Sequence, residues 1–161
     1  MPRTRKKGNS AYDEALHFLT PKARTVREVE NHLDECEYSE IEIMNTVERL
    51  LNNGLLNDEK YAADFVESRL NTKPVSRFKL RHQLEEHFVP EEAISAALET
   101  VNDETEMQNA LAVGRKFFRQ FNALEPSERL FRVGTRLNAR GYYSETVKAV
   151  LEKLQNEAED E

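Results

Sequence analysis

The chain is expected to be all-α, built as three tandem three-helix repeats stacked into an elongated, curved array. Three observations carry that expectation. The composition suits helices: 33% of the 161 residues are charged, and only five Gly and five Pro occur. Apolar residues recur at helical spacing, as in Tyr61, Ala62, Phe65, Val66 and Arg69, which form one stripe. Finally, the apolar pattern repeats along the chain. Thr25–Leu50 aligns without a gap on Ser76–Val101 at an offset of 51, pairing Val29 with Leu80, Leu33 with Leu84, Ile43 with Ile94 and Val47 with Leu98. A third copy follows 53 residues later, with Val133, Leu137, Val147, Leu151 and Leu154 in the places of Leu80, Leu84, Ile94, Leu98 and Val101.

Each copy reads as an opening, a middle and a closing helix. Opening helices are expected over 10–20, 58–71 and 104–121, middle helices over 25–36, 76–88 and 126–140, and closing helices over 39–53, 90–101 and 143–156. Thr25 with Glu28 and Ser39 with Glu42 have capping-box spacing, and Ser144 beside Glu145 marks the last start. Pro90 and Pro126 fit first turns, and Gly54 and Gly141 fit left-handed stops. The organisation that follows is a flexible basic arm (1–9), repeat one (10–54), repeat two (55–102), repeat three (103–155) and an acidic tail (156–161). A unit of roughly 50 residues buries little apolar surface alone, so neighbouring units must cover one another.

Charge is polarised. The net value is −7, which argues against a freestanding duplex binder. Glu28–Asp64 holds eleven acidic and two basic residues, whereas Ser68–His82 holds Arg69, Lys73, Arg77, Lys79 and Arg81 and no acid. Ala112–Arg140 carries Arg115, Lys116, Arg119, Arg129, Arg132, Arg136 and Arg140 against two acids. Arg129, Arg132, Arg136 and Arg140 step along one helix face, and with few local acids such sets suit phosphate or an acidic protein surface.

Catalytic motifs are missing: there is no phosphate loop, nucleophile elbow or His-Glu-x-x-His. The single cysteine, Cys36, rules out an intramolecular disulfide and a Cys-based zinc site and reads as a small packed residue. The four histidines are scattered, His82 and His87 being five apart rather than four. No cofactor, no metal and no enzymatic activity are expected. No apolar run approaches the roughly 18 residues of a membrane span, and the basic start leads into no apolar core, so a cytoplasmic monomer is expected.

Gly54-Leu55-Leu56-Asn57-Asp58-Glu59-Lys60-Tyr61-Ala62, then Phe65-Val66 and Arg69, resembles the most characteristic segment of the RecX family. Within it Gly54, Leu56, Asn57, Asp58, Tyr61 and Phe65 read as structural: Asn57 or Asp58 caps the next helix, and Tyr61, Phe65 and Val66 form the seam between copies one and two. Arg77, Leu80, Arg81 and Leu84 resemble the family's second-repeat helix, and Arg140-Gly141-Tyr142 its third-repeat ending. Departures are Glu37 and Phe88, where the family usually has Gly, Pro74 where Gly is common, and the acidic tail. The resemblance implies a modulator of RecA that binds the RecA–DNA filament and inhibits its ATPase, strand exchange and coprotease activity, in DNA repair, recombination and the SOS response. DNA, single- or double-stranded, would be contacted weakly or through RecA. On that reading the basic sets are the partner- and DNA-binding residues, and replacing Arg129, Arg132 and Arg136 by Glu is expected to abolish inhibition without unfolding. The alternative is a helix-turn-helix-like nucleic-acid binder acting without RecA, which would bind free duplex with steep salt dependence.

Overall fold

The computed structural model describes residues 8–160, so most of the expected basic arm (residues 1–7) lies outside the described residues. Among the described residues there are nine α-helices and no strand: α1 (Ala11–Leu19), α2 (Val26–Glu35), α3 (Glu40–Asn52), α4 (Asp58–Thr72), α5 (Arg77–Glu86), α6 (Glu91–Leu98), α7 (Asp103–Gln120), α8 (Pro126–Ala139) and α9 (Ser144–Glu159). The chain is thus all-α, with its helices in tandem triplets. α9 runs on through most of the stretch expected as an acidic tail, held there by buried Leu154 and by an Arg115–Glu157 ion pair of 2.6 Å.

Local chemistry accounts for the starts. Thr25 with Glu28, and Ser39 with Glu42, make complete capping boxes, satisfying orphan N–H groups at both ends of the first turn. Ser10 and Asn102 cap α1 and α7. Asn57 Oδ1 accepts the Lys60 N–H at 3.0 Å. The last start differs from expectation: Ser144 is the first helical residue of α9, and Tyr143 holds the cap position with no side-chain bond.

The three middle helices end alike. In α2 the Tyr38 and Glu37 amides donate to the Leu33 and Asp34 carbonyls; in α5 the Val89 and Phe88 amides donate to Leu84 and Glu85; in α8 the Tyr142 and Gly141 amides donate to Leu137 and Asn138. This 6→1 and 5→2 pairing requires a left-handed residue after the helix. Glu37 (φ 67), Phe88 (φ 61) and Gly141 (φ 85) occupy it, spaced by the repeat offsets. Two side chains therefore stand where a glycine would be unstrained.

Packing divides the chain into two compact units. One comprises the chain up to Asp64 with Leu84–Ala97, the other Phe65–Gln83 with Leu98 onward. In the first, α1, α2 and α3 enclose Ala15, Val29, Leu33, Tyr38, Leu50 and Leu56, all nearly or fully buried. In the second, α7, α8 and α9 enclose Ala110, Phe117, Val133, Leu137, Val150 and Leu154. Each buried Leu or Val contributes about 1.5–3 kcal/mol relative to exposure. Gly114 permits this second packing, since a Cβ there would lie 2.6 Å from Val150 Cγ1.

Each unit contains the same junction. In the first, Thr25 Oγ1 donates to the His87 carbonyl at 2.6 Å, and the Val26 N–H donates to Asp58 Oδ1 at 3.0 Å. In the second, the Ser76 N–H donates to the Arg140 carbonyl at 2.9 Å, and the Arg77 N–H donates to Glu106 Oε1 at 2.5 Å. The start of one middle helix thereby meets the end of the next, and a carboxylate from the next opening helix binds its first amide. Both devices satisfy helix-terminal groups that burial would otherwise leave without water.

Candidate functional site

The basic residues singled out by the sequence fall into two classes, those that hold the chain's own helices and those that face outward. Arg77 belongs to the first. Its Nη2 lies 2.5 Å from Asp103, its Nε 3.1 Å from Glu106, and its Nη1 donates to the Val101 carbonyl at 3.2 Å. The hydrogen bond it donates to Asp103, then the charge of Glu106, hold its guanidinium above its ordinary pKa. Lys79 Nζ donates to the Ala139 carbonyl at 2.6 Å. Arg140 donates to the Pro74 carbonyl at 2.8 Å, and Arg115 pairs with Glu157, whose carboxyl that hydrogen bond holds below its usual range. Arg129 donates to the Phe118 carbonyl at 2.7 Å, its guanidinium 3.3 Å from the centroid of the Phe118 ring.

Lys73, Lys116, Arg119, Arg132 and Arg136 are exposed, while Arg69 and Arg81 are half-buried. Arg69 lies over Phe65 at 5.1 Å. Lys116 and Arg136 lie over the Phe117 ring, 5.6 and 5.5 Å from its centroid, and Arg136 also lies over Phe121 at 5.9 Å. Cations over aromatic faces are fixed in direction without being neutralised, so they keep donors for an anionic partner. Arg132 makes only a 3.4 Å pair with Glu128 on its own helix, an exposed contact of small energy. Arg115, Phe118, Arg119, Arg129, Leu154 and Glu157 line a shallow hollow of about 330 Å³.

Beside Arg132 stands Phe131, 73% exposed, which sequence reasoning missed. Its signal was available: it is a large aromatic residue off the apolar stripe of Val133 and Leu137. An exposed ring can stack on a base or on an apolar partner side chain.

The structural motif residues sit as caps and core. Leu56 is buried, and Asn57 caps α4. Asp58 caps a different helix, α2, through Val26; burial holds its carboxyl above the usual range, offset by that amide bond. Tyr61 packs against the His87 ring at 5.8 Å, and burial raises its phenol. Gly54 takes φ 74 after α3, and Phe65 is half-buried. Among the described residues no helix is long and apolar enough to cross a membrane.

Comparisons with known proteins agree on one family. Family profiles described as "RecX, first three-helix domain" and "RecX, second three-helix domain" match residues 11–50 and 57–98. Regulatory protein RecX of Bacillus mycoides (strain KBAB4) is 26% identical over 151 residues, covering 94% of this chain and 56% of that protein. Regulatory protein RecX of Prosthecochloris aestuarii is 27% identical over 144 residues, covering 89% and 93%. The chain therefore spans just over half the length of the Bacillus relative and nearly all of the other. Among solved structures, RecX from Lactobacillus salivarius superposes with a TM-score of 0.77 at 20% identity, covering 90% of this chain and 94% of that one. A second RecX crystal structure gives 0.74 at 24%, covering 88% and 71%. At such identities the structural likeness speaks to the fold.

Proposed function

Because this chain belongs to the RecX family, we propose that it is a cytoplasmic, non-enzymatic regulator that binds the RecA–DNA filament and lowers RecA ATPase, strand exchange and coprotease activity. Its role is then the modulation of DNA repair and recombination. Membership of a family whose curated members are named regulatory proteins carries this reading.

The binding face is narrower than charge alone implies. Lys116, Arg119, Arg132 and Arg136 are exposed cations of α7 and α8 that keep donors to offer, Phe131 is exposed on α8, and Lys73 adds a further exposed cation. Arg77, Lys79, Arg115, Arg129 and Arg140 serve their own helices first. On this reading the three repeats span residues 10–54, 55–102 and 103–155.

The test is RecA ATPase on single-stranded DNA with increasing amounts of the protein. Wild-type protein is expected to lower the rate. The triple variant Lys116→Glu, Arg132→Glu, Arg136→Glu is expected to lose that effect with its unfolding transition unchanged. Full inhibition by the triple variant removes this face, and an ATPase indifferent to the wild-type protein removes the RecA assignment. Tight, salt-sensitive binding to free duplex in a gel shift would point instead to a nucleic-acid binder acting without RecA.

A further inference from the structure

The first unit brings Glu14 of α1 beside His32 of α2 and Cys36, the residue that caps the C-terminus of α2. His32 Nε2 lies 2.9 Å from Glu14 Oε1, and Cys36 Sγ lies 3.8 Å from each of them. One potential ligand atom from each residue falls within a 4.8 Å cluster. The imidazole is held in place by Phe18, stacked flat on it at 4.0 Å with 1° between the planes. Cys36 is 1% exposed, and the His32 and Glu14 side chains keep 11% and 13%, so the group is sheltered yet reachable.

We propose that Glu14, His32 and Cys36 form a three-ligand site for a divalent cation of the zinc class, with water completing a tetrahedron. Bonds of about 2.0–2.3 Å place neighbouring ligand atoms of a tetrahedral ion roughly 3.3–3.6 Å apart. The observed separations of 2.9, 3.8 and 3.8 Å lie within a few tenths of an ångström of that range, a side-chain adjustment. Thiolate, imidazole and carboxylate together select zinc over magnesium or calcium, which prefer all-oxygen shells. One carboxylate, one thiolate and one neutral imidazole balance the charge of the ion, which suits a sheltered site. On binding, the Cys36 thiol proton leaves to bulk water as the S–metal bond forms; the proton that His32 Nε2 donates to Glu14 is released to water and Nδ1 carries the proton of the neutral ring, so that Nε2 and the Glu14 carboxylate are both free to bond the ion.

Sequence reasoning takes a single cysteine to rule out a Cys-based zinc site and finds the histidines scattered, but a mixed site needs only one of each. His32 and Cys36 do have i, i+4 spacing at the end of α2, but the third ligand lies 18 residues before His32 on another helix. The ion would clamp α1 to α2.

The experiment titrates the untagged full chain, reduced and freed of metal by a chelator, with Co²⁺. One equivalent is expected to bind, with thiolate-to-cobalt charge-transfer absorption in the near ultraviolet and intensified visible bands of four-coordinate cobalt. Zn²⁺ should bleach both and raise the Tm of the metal-free chain. Glu14→Gln, which keeps the shape and the hydrogen bond to His32, should weaken binding about tenfold or more, and Cys36→Ser should remove the charge-transfer band. A spectrum that stays that of aqueous Co²⁺ overturns the site, as does a charge-transfer band that survives in Cys36→Ser.

Discussion

Gly141→Ala tests the logic of the repeat junction. Gly141 sits at φ 85, and a Cβ built on it would lie 2.6 Å from Ser76 Oγ and 2.9 Å from Lys79 Cβ. The backbone penalty for a left-handed alanine is about 1–2 kcal/mol. Relieving the clash moves the start of α5 away from Arg140, whose carbonyl accepts the Ser76 amide at 2.9 Å, and overpacking of this kind costs about 1–3 kcal/mol. The smaller entropy of unfolded alanine returns about 0.5–1 kcal/mol. The net expectation is a loss of about 2–3 kcal/mol, or a Tm lower by roughly 4–12 °C for a chain of this size. Phe88→Gly is the mirror experiment at the equivalent position, where φ is 61 and the side chain is 53% exposed. It relieves the backbone strain and is expected to raise stability by up to about 1 kcal/mol. Thermal and urea unfolding followed by circular dichroism measure both. An alanine at 141 that leaves Tm unchanged, or a glycine at 88 that lowers it, would refute the assignment of strain to these caps.

Three further outcomes follow from the same geometry. Arg77→Ala leaves the Glu106 carboxylate, 6% exposed, without its guanidinium and should cost about 1–3 kcal/mol in urea unfolding, discounted because Arg77 is itself a third exposed. Adding Glu106→Gln should recover part of that loss, and strict additivity would sink the pairing. Tyr142→Phe removes a buried hydroxyl that has no hydrogen-bond partner among the described residues, so stability at neutral pH should hold or rise by about 1 kcal/mol. Burial, reinforced by the charge of Glu106, pushes the Tyr142 phenol up to about 12 from an ordinary 10. The folded chain therefore keeps a proton that the unfolded chain releases, and the contribution is complete below pH 10 and lost as pH rises toward about 12. The Phe variant should lack that loss when denaturation is compared across the window. Asp58→Ala removes the acceptor of the Val26 amide and should cost about 1 kcal/mol, whereas Asp58→Asn keeps the acceptor without the desolvated charge and should cost less. Equal losses for the two would show that the carboxylate's charge, not its oxygen, secures α2.

The helical periodicity of Val29, Leu33, Leu80, Leu84, Val133 and Leu137 was legible in the sequence because burial on one face imposes a 3.6-residue spacing that any chain must write out locally. So were the capping boxes at Thr25 and Ser39 and the recurrence at 51 and 53 residues, since each depends on neighbours within a turn or on copies of the same turn. The partners of the charged side chains were not. Arg77 meets Glu106 29 residues away, Arg115 meets Glu157 at 42, and Arg140 meets the Pro74 carbonyl at 66. Arg77 and Arg115 lie in stretches with few or no local acids, so they looked available for a partner until folding supplied carboxylates from other helices. The same holds for Glu14, His32 and Cys36. Periodicity records which face is covered. Which polar atoms meet there is decided by how helices far apart in the chain are laid together, and no local pattern records that distance.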